Sequence, residues 1–583
     1  MNKSKNKPAV MEYVIVGTLV VAAVAAGAWY YGRDVQALFN SACTAGGAVC
    51  GQSESAAAQC CYAAANDRCC ATKFSSAWAQ NKRFVDTCDS EGACFKASCA
   101  PNVNAFCSAP LRPETPGYER YAEFNENEFL EAAANPLSTF SIDVDTGSYT
   151  QTRRFLLENK RLPSRDLVRL EEFVNYFDYG YAGPTGKDPV AVHCAMGQCP
   201  WNGDHKLVRI GVQAKRLADG ELPPNNLTFL IDVSGSMSSD NCLPLLVKGM
   251  KLLVDKMRDD DYVSIVTYAS GVDVRLESTS GRNKRRIHAV LDSLTAGGCT
   301  SGGEGLRLAY EEAKRNFRKN GNNRVILASD GDWNVGITSE SELKRFIESK
   351  RDDDIFLSVL GFGMGNYQDK LMKTLADAGN GHYAYIDGLL EAKKVLMTEF
   401  AGTLYTVAKD VKIQVEFNPA KVGGYRLLGY ESRLLKAKDF NDDKKDAGEM
   451  GAGHTVTALY EIVPAGGKSD IPSTDALKYQ RNVAAPSEEM LTVKLRYKEP
   501  DGDKSVKLEQ AHTAAEMSEH AEDEDFRFVS AVAECALLLG DSKFKGEADW
   551  ERLIKRAKKA KGTDENGYRA EFVRLAETAQ LLK

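Results

Sequence analysis

The central part of the chain alternates short apolar runs with amphipathic segments of helical period. Between about residues 226 and 403, each apolar run is four to seven residues long and is bounded by polar or glycine-rich turns. Short continuous strands separated by helices are typical of a parallel sheet covered on both faces. The predicted strands are Leu227–Ile231, Tyr262–Tyr268, Arg324–Ala328, Ile355–Gly361 and Tyr383–Ile386, and the predicted helices are Leu243–Met257, Lys284–Leu294, Gly303–Phe317, Ser341–Ser349, Tyr367–Ala378 and Leu389–Gly402.

The regions on either side of this segment have a different pattern. Strand-like runs occur on both sides, and after residue 403 they alternate in period two, which is typical of half-buried antiparallel strands. Neither set suffices for a closed core, so we expect the two sets to pack together as a β-rich base into which the α/β domain is inserted. The predicted strands are 140–144, 190–193, 207–214, 412–417, 427–430, 455–462 and 491–497, and the predicted helices are 149–159, 166–177 and the segment from Asp523 to the end.

Oxygen-bearing side chains follow several of the central strands. Asp232, Ser234 and Ser236 come directly after the first strand, Thr300 lies in a glycine-rich segment that opens a helix, and Asp330 ends a later strand. In parallel sheets, ligands collect at the carboxyl ends of the strands, where these residues are expected to meet. Carboxylate and hydroxyl oxygens suit a hard cation, above all Mg²⁺. The sequence therefore predicts a divalent-metal site.

These residues resemble, loop for loop, the metal-ion-dependent adhesion site of von Willebrand factor type A domains. The resemblance implies a Rossmann-like doubly wound domain over residues 226–405 that binds Mg²⁺, with Mn²⁺ or Ca²⁺ as alternatives. It also implies that Ser234, Ser236 and Thr300 contact the metal directly, whereas Asp232 and Asp330 act mostly through bound water.

The charge of this ligand set suggests what the site does. Three ligands are neutral hydroxyls and two are carboxylates, so a divalent ion keeps residual positive charge and an open position that a partner's Asp or Glu can fill. No nucleophile with a general base accompanies these residues, so the expected function is metal-dependent protein binding in adhesion or complex assembly, without catalysis. The alternative is a structural scaffold of the envelope, in which the metal only stabilises the domain and the Cys-rich region mediates assembly.

Further segments resemble the bacterial YfbK-type proteins, over about residues 117–583. The resemblance implies a family-specific N-terminal region at 117–225 and a C-terminal region of strands followed by helices at 406–583. Members of this family are described by domain content, so the likeness indicates an architecture and not a task. The matching segments are 135–149, 199–202, 328–336, 525–528 and 567–572.

The N-terminus indicates export. Three lysines precede an apolar run from Tyr13 to Tyr31, long enough to cross a bilayer, so residues 1–32 are predicted to be a cytoplasmic leader and a transmembrane helix. This places the chain in the bacterial inner membrane with its bulk outside the cytoplasm; the alternative is secretion after signal cleavage. Ten of the 15 cysteines lie between Cys43 and Cys107, which predicts a disulfide-stapled region at 33–112.

Composition excludes several other classes of protein. The chain is 43% hydrophobic and 27% charged, as ordinary globular proteins are. Its net charge of −7 gives no general attraction to nucleic acid. No phosphate-binding loop occurs, and the run Gly361-Phe-Gly-Met-Gly365 lacks the last glycine of a dinucleotide-binding motif, so no small-molecule substrate is expected.

Two smaller features leave alternatives open. The run from Asp143 to Ser148 mimics an aspartic protease or phosphoryl-transfer motif, but no second copy and no fitting domain accompanies it, so a turn or capping role is expected. Four cysteines outside the Cys-rich region form candidate pairs. Cys242 and Cys299, which border the metal ligands, either bridge or stay unpaired, and Cys194 and Cys199 are candidates to close a hairpin.

Overall fold

The computed structural model describes residues 121 and 124–583, apart from gaps at 143, 219–220, 299–301, 332–339, 364–368, 400–401, 403–404, 446, 468–486, 501 and 522. The transmembrane helix predicted at 1–32 and the disulfide framework predicted at 33–112 therefore lie outside the described residues. The strands are β1 (Leu130–Glu131), β2 (Leu137–Ser141), β3 (Val190–Gln198), β4 (Lys206–Ala214), β5 (Asn225–Asp232), β6 (Tyr262–Tyr268), β7 (Val272–Ser280), β8 (Asn322–Ser329), β9 (Phe356–Gly361), β10 (Tyr383–Tyr385), β11 (Thr406–Phe417), β12 (Val422–Leu428), β13 (Gly448–Gly451), β14 (Thr455–Pro464), β15 (Glu489–Lys498) and β16 (Ser505–Thr513).

Helices form in three groups: before, within and after the central sheet. A π-helical turn, Lys394–Thr398, continues the last helix of the middle group. The α-helices are α1 (Gly147–Leu157), α2 (Leu170–Val174), α3 (Leu243–Lys256), α4 (Lys284–Asp292), α5 (Gly302–Arg315), α6 (Glu340–Arg351), α7 (Asp369–Ala378), α8 (Leu389–Lys393), α9 (Ala514–Ser518), α10 (Glu524–Leu539), α11 (Trp550–Lys559) and α12 (Tyr568–Leu582).

The central domain, residues 225–398, is a six-stranded sheet in the order β10-β9-β8-β5-β6-β7. All neighbours in this sheet are parallel except β6 and β7. Alternate residues of β5 supply cores on both faces: Phe229 and Ile231 pack with α3 and α4, whereas Leu230 packs with α5, α6 and α7. A strand buried on both faces has to be apolar at successive positions, which is why β5 appears in the sequence as a continuous apolar run.

The antiparallel edge strand β7 was not predicted. Its residues alternate, with Val272, Val274 and Leu276 more buried than the polar residues between them, as a half-buried edge strand requires. The alternation is visible in the sequence, but a search for continuous apolar runs passes over it.

Two antiparallel sheets flank the central domain, and both combine strands from its two sides. One has the order β1-β12-β14-β4-β3, so β4, which precedes the central domain, pairs with β14, which follows it. In the other, β11 pairs with β2, β13 and β15, and β16 forms its edge. This pairing agrees with the expectation that strands from both sides of the central domain pack together. We call these sheets, with α1, α2 and α9–α12, the base.

The base also contains a helical core. Apolar side chains of α10, α11 and α12 cluster with α1 and α2, and with Trp201, which is fully buried. The predicted helix 166–177 is instead a 3₁₀ turn, Arg165–Leu167, followed by α2. The two helical pieces are separated by extended backbone at Val168 and Arg169.

The contacts between the central domain and the base, which we call the seam, include several ion pairs. Helix α1 is buried along almost its whole length although many of its residues are polar. Arg153 of α1 pairs with Asp387 and Glu391 of the central domain at 2.5 and 2.8 Å, and with Glu571 of α12 at 2.7 Å. These ion pairs offset the burial of the Arg153 guanidinium.

Candidate metal-binding site

Two neighbouring strands end in oxygen-bearing side chains at the same edge of the central sheet. Asp232 is the last residue of β5 and Ser329 is the last residue of β8, and these strands pair in parallel. The Ser329 hydroxyl donates a hydrogen bond to Asp232 Oδ2 at 3.1 Å. Asp330 follows directly, half-buried. The structure thus brings Asp232 and Asp330 to one edge, as the sequence predicts.

The loop after β5 folds back toward its own aspartate. The backbone N–H of Ser234 donates to Asp232 Oδ1 at 2.9 Å, and the hydroxyls of Ser234 and Ser236 lie 3.0 Å apart. A 3₁₀ turn, Gly235–Ser238, places the second serine beside the first. Two hydroxyls and one carboxylate therefore gather within five residues of chain.

Thr300, the remaining predicted ligand, lies outside the described residues. The described start of its glycine-rich segment is attached to the serine loop by two backbone hydrogen bonds, Gly297 N–H to the Val233 carbonyl at 2.8 Å and Gly235 N–H to the Gly298 carbonyl at 3.0 Å. Gly298 has φ +85°, in the left-handed region that favours glycine. These bonds join the glycine-rich segment to the loop that carries Ser234 and Ser236.

We call Asp232, Ser234, Ser236, Ser329 and Asp330 the site edge. The site edge has an excess of negative charge. Burial, and then the neighbouring Asp330 carboxylate, raise the pKa of Asp232 to about 7. Among the described residues, no Lys, Arg or His side chain forms an ion pair with Asp232. A buried carboxylate beside a second one is stabilised by a cation, and carboxylate and hydroxyl oxygens are ligands that a hard divalent cation prefers. The donor set therefore fits Mg²⁺.

Hydroxyl oxygens are essential to this candidate site. In the described part of the chain, no group of three or more His, Cys, Asp and Glu side chains is placed to hold a metal ion. Ser329, which was not predicted as a site residue, donates a hydrogen bond to Asp232 and accepts one from Gly331 N–H at 3.1 Å. Its position immediately before Asp330, at the end of an apolar strand, is the signal that could have identified it.

The cysteines near the site edge and in the base have free thiols where the structure describes them. Cys242 is free, and its Sγ accepts a hydrogen bond from the Ser239 hydroxyl at 3.0 Å, whereas Cys299 lies outside the described residues. The hairpin bridge between Cys194 and Cys199 was a wrong expectation, because both thiols are free. Cys194 lies on the extended strand β3 and Cys199 just beyond it, so their Cα atoms are roughly 16 Å apart, whereas a disulfide allows about 7 Å.

The enzyme-like run that precedes α1 contributes an ion pair to the seam. Asp145 is buried and pairs with Lys373 of the central domain at 2.7 Å, so it belongs to the seam. Thr146 of the same run is the N-cap residue of α1, without a side-chain capping bond, so the run occupies the expected capping position although Asp145 itself is not the cap. Asp143 lies outside the described residues.

Within the residues that the structure describes, no helix is both long and apolar enough to cross a bilayer.

Comparison with protein families matches three consecutive parts of the chain. Residues 226–396 match the von Willebrand factor type A domain, residues 115–209 match a model described as von Willebrand factor, and residues 402–582 match a model described as uncharacterized protein YfbK, C-terminal. The central domain and the two halves of the base thus correspond to separate family models.

Among individual proteins, the chain is similar to the uncharacterized protein YfbK of Escherichia coli K12. The two are 44% identical over 475 residues, which cover 80% of this chain and 81% of the E. coli protein. Inter-alpha-trypsin inhibitor heavy chain H3 of Mesocricetus auratus is 25% identical over 166 residues, covering 27% of this chain and 18% of that protein. A solved von Willebrand factor type A protein from Catenulispora acidiphila is 15% identical, covers 67% of this chain and 89% of its own, and has a TM-score of 0.36.

Proposed function

The chain belongs to the YfbK family of von Willebrand factor type A domain proteins, and from that premise we propose that it is a metal-dependent protein-binding module of the bacterial cell envelope. Von Willebrand factor type A domains are protein-interaction modules, many of them metal-dependent. The proposal is that this chain uses its site edge, together with Thr300, to capture an acidic group of a partner.

The observation that carries the proposal is a buried carboxylate that lies beside a second, half-buried carboxylate at the site edge. Asp232 is fully buried, is held by hydrogen bonds from Ser234 and Ser329, and lies beside Asp330. Burying a carboxylate costs free energy unless a positive charge accompanies it. Because the ion pairs of the described residues supply none to Asp232, a divalent cation from solution is the natural counter-charge.

The residues that would hold the cation are Ser234, Ser236, Thr300, Asp232 and Asp330. When bound, Mg²⁺ supplies residual positive charge and a coordination position open to an oxygen ligand. Neutral hydroxyls leave more of that charge available than carboxylates do, so an Asp or Glu side chain of a partner is the favoured additional ligand.

The surface around the site edge supports an encounter with a partner. Ser236 and Asp330 are half-buried, and Ser238 and Asp240 of the same loop are exposed. The buried aspartate thus lies beneath accessible oxygens, so a partner can reach the site without rearrangement of the central sheet.

The proposal places this surface outside the cytoplasm. Residues 1–32 would anchor the chain in the inner membrane, and the Cys-rich region 33–112 would form disulfides in the oxidising envelope. Protease treatment of intact spheroplasts, in which the outer surface of the inner membrane is exposed, checks this orientation. The central domain is expected to be degraded. Protection of the central domain from the protease would contradict the orientation.

The function is tested by capture of partners from envelope extracts on the immobilised full chain. Capture is expected in Mg²⁺, is expected to be lost in EDTA and in Asp232→Ala, and is expected to persist in Ser238→Ala, a serine on the same loop that the proposal does not use. Amidation of carboxylates in the extract should also abolish capture. A partner retained in EDTA and by Asp232→Ala would favour the scaffold function instead.

A further inference from the structure

A residue of the base reaches toward the site edge. Arg154, on α1, is almost fully buried, and its Nη1 donates to the Tyr385 hydroxyl at 3.1 Å and lies 3.5 Å from the Gly363 carbonyl oxygen. Its guanidinium lies 5.3 Å from the centroid of the Tyr385 ring. Tyr385 is the last residue of β10, so α1 contacts the central domain at the edge where the strands end.

The Tyr385 hydroxyl connects Arg154 to the chain segment that follows β9. It donates to the Gly363 carbonyl at 2.5 Å while accepting from Arg154. A hydroxyl that accepts from a cation becomes a better donor, so the two hydrogen bonds strengthen each other. Arg154 and Tyr385 therefore hold one carbonyl from the side of the base.

Gly363 is packed directly against the site edge. It has φ +77°, and a Cβ added to it would lie 3.0 Å from Cys242 Sγ and 3.3 Å from Asp330 Cβ. The preceding residue, Phe362, donates its N–H to the Ser329 carbonyl at 3.0 Å. The segment that Arg154 and Tyr385 hold thus contacts both Ser329, which donates to Asp232, and Asp330 itself.

We propose that Arg154 is a positioning residue for the metal site, so that the affinity of the central domain for a divalent cation depends on its contact with the base. The inference rests on the proposed function, because it concerns the same site. Without the Arg154 donor, the Tyr385–Gly363 contact loosens, and with it the packing that fixes Asp330 relative to Asp232. Ordering the site when the ion binds then costs free energy, which weakens binding.

The adjacent residue Arg153 provides a matched comparison. It is on the same helix and also buried, but it pairs with Asp387, Glu391 and Glu571, none of which is a residue of the site edge. A substitution at Arg153 therefore weakens the seam without touching Gly363. If the base affected the metal only through overall stability, both arginines would have the same effect.

The test is titration of the full chain with Mn²⁺ in mild detergent. Binding is monitored by calorimetry and by the decrease of the paramagnetic resonance signal of free Mn²⁺. Arg154→Met and Tyr385→Phe are expected to weaken Mn²⁺ binding about three- to ten-fold, and Arg154→Lys is expected to restore part of it. Arg153→Lys is expected to lower the unfolding temperature but to keep the affinity within about two-fold. Tyr385→Phe removes a single oxygen, so it carries the test if Arg154→Met does not fold.

Three outcomes are distinguished. Wild-type affinity in both Arg154→Met and Tyr385→Phe, or equal weakening by Arg153→Lys, would overturn the positioning role while leaving the metal site intact. Absence of Mn²⁺ binding by the wild type, or undiminished binding by Ser234→Ala, would overturn the proposed function itself. Weakening confined to the Arg154 and Tyr385 variants supports the proposal.

Discussion

At the seam, Glu172 is buried beside Lys373 and Arg169, whereas at the site edge Asp232 is buried beside another carboxylate. Burial by itself would raise the pKa of Glu172, but the two cations outweigh it and lower that pKa to about 2; for Asp232, burial and Asp330 raise the pKa to about 7. The cations of the seam do not offset burial equally at every carboxylate. Burial still raises the pKa of Asp387 to about 6, although the charge of Arg153 opposes this rise. The chain thus carries its own cations where it joins domains, whereas Asp232 lies beside a second carboxylate, and under the proposed function its counter-charge is a cation from solution.

The largest expected effect comes from removing a cation of the seam. Lys373→Met leaves Asp145 and Glu172 buried with less positive charge, and breaking a buried pair in this way costs about 3–5 kcal/mol of unfolding free energy. Urea unfolding measures the loss. The control is Lys370→Met, an exposed lysine on the same helix, with an expected effect within about 0.5 kcal/mol. Equal stabilities of the two variants would show that the seam is not held by these charges.

The pH dependence of stability tests the part of this comparison that concerns Glu172. Because Glu172 has a lower pKa in the folded state than its ordinary value, its ion pairs stabilise the fold above about pH 5, and this contribution, up to about 3 kcal/mol, is lost as the pH falls toward 2. Glu172→Gln is expected to be less stable than the wild type at pH 7 and to lose less stability between pH 5 and 3. Parallel stability curves for the two proteins would contradict this.

Metal binding should stabilise the site edge by a comparable amount. At an Mg²⁺ concentration about 100 times the Kd, the unfolding free energy is expected to rise by about 2.7 kcal/mol. Ser234→Ala should lose this increment, and Ser238→Ala should keep it. Differential scanning calorimetry in Mg²⁺ and in EDTA measures both. An increment that survives in Ser234→Ala would place the ion elsewhere.

The smallest expected effect concerns Ser329. Its hydroxyl donates to Asp232 and accepts from Gly331, so Ser329→Ala removes two buried hydrogen bonds and is expected to cost about 1–3 kcal/mol. Because the lost donor supports the charged form of Asp232, the same variant should also bind Mg²⁺ more weakly. Urea unfolding and calorimetric titration check the two parts separately, and unchanged Mg²⁺ affinity would show that Ser329 only supports the fold.

The central sheet was predictable because its signal is local. Strands buried on both faces are continuous apolar runs, so β6 was predicted with its observed ends, and polar residues at strand ends indicated Asp232 and Asp330. The edge strand β7 and the short strand β13 were missed, since one exposed face or a length of four residues leaves little apolar signal.

The seam could not be predicted from the sequence. The contacts of Arg153 with Asp387 and of Asp145 with Lys373 join residues more than 200 positions apart, and nothing in the local pattern around Arg153 or Asp145 indicates its partner. Polar residues such as Arg154 in α1 look like a solvated helix face until the base and the central domain enclose them. The resemblance to a known family indicated the domains, but not the charges that join them.

Whether Asp232 takes its counter-charge from solution is decided by comparing the stability of Asp232→Asn with that of the wild type at mildly alkaline pH, in EDTA and in Mg²⁺. The asparagine keeps the shape of the side chain but removes the buried charge. Asp232→Asn is expected to be more stable than the wild type in EDTA and to gain nothing from Mg²⁺, while the wild type is stabilised by the ion. A variant that is less stable in EDTA, or that gains from Mg²⁺ as the wild type does, would contradict the claim that Asp232 takes its counter-charge from solution.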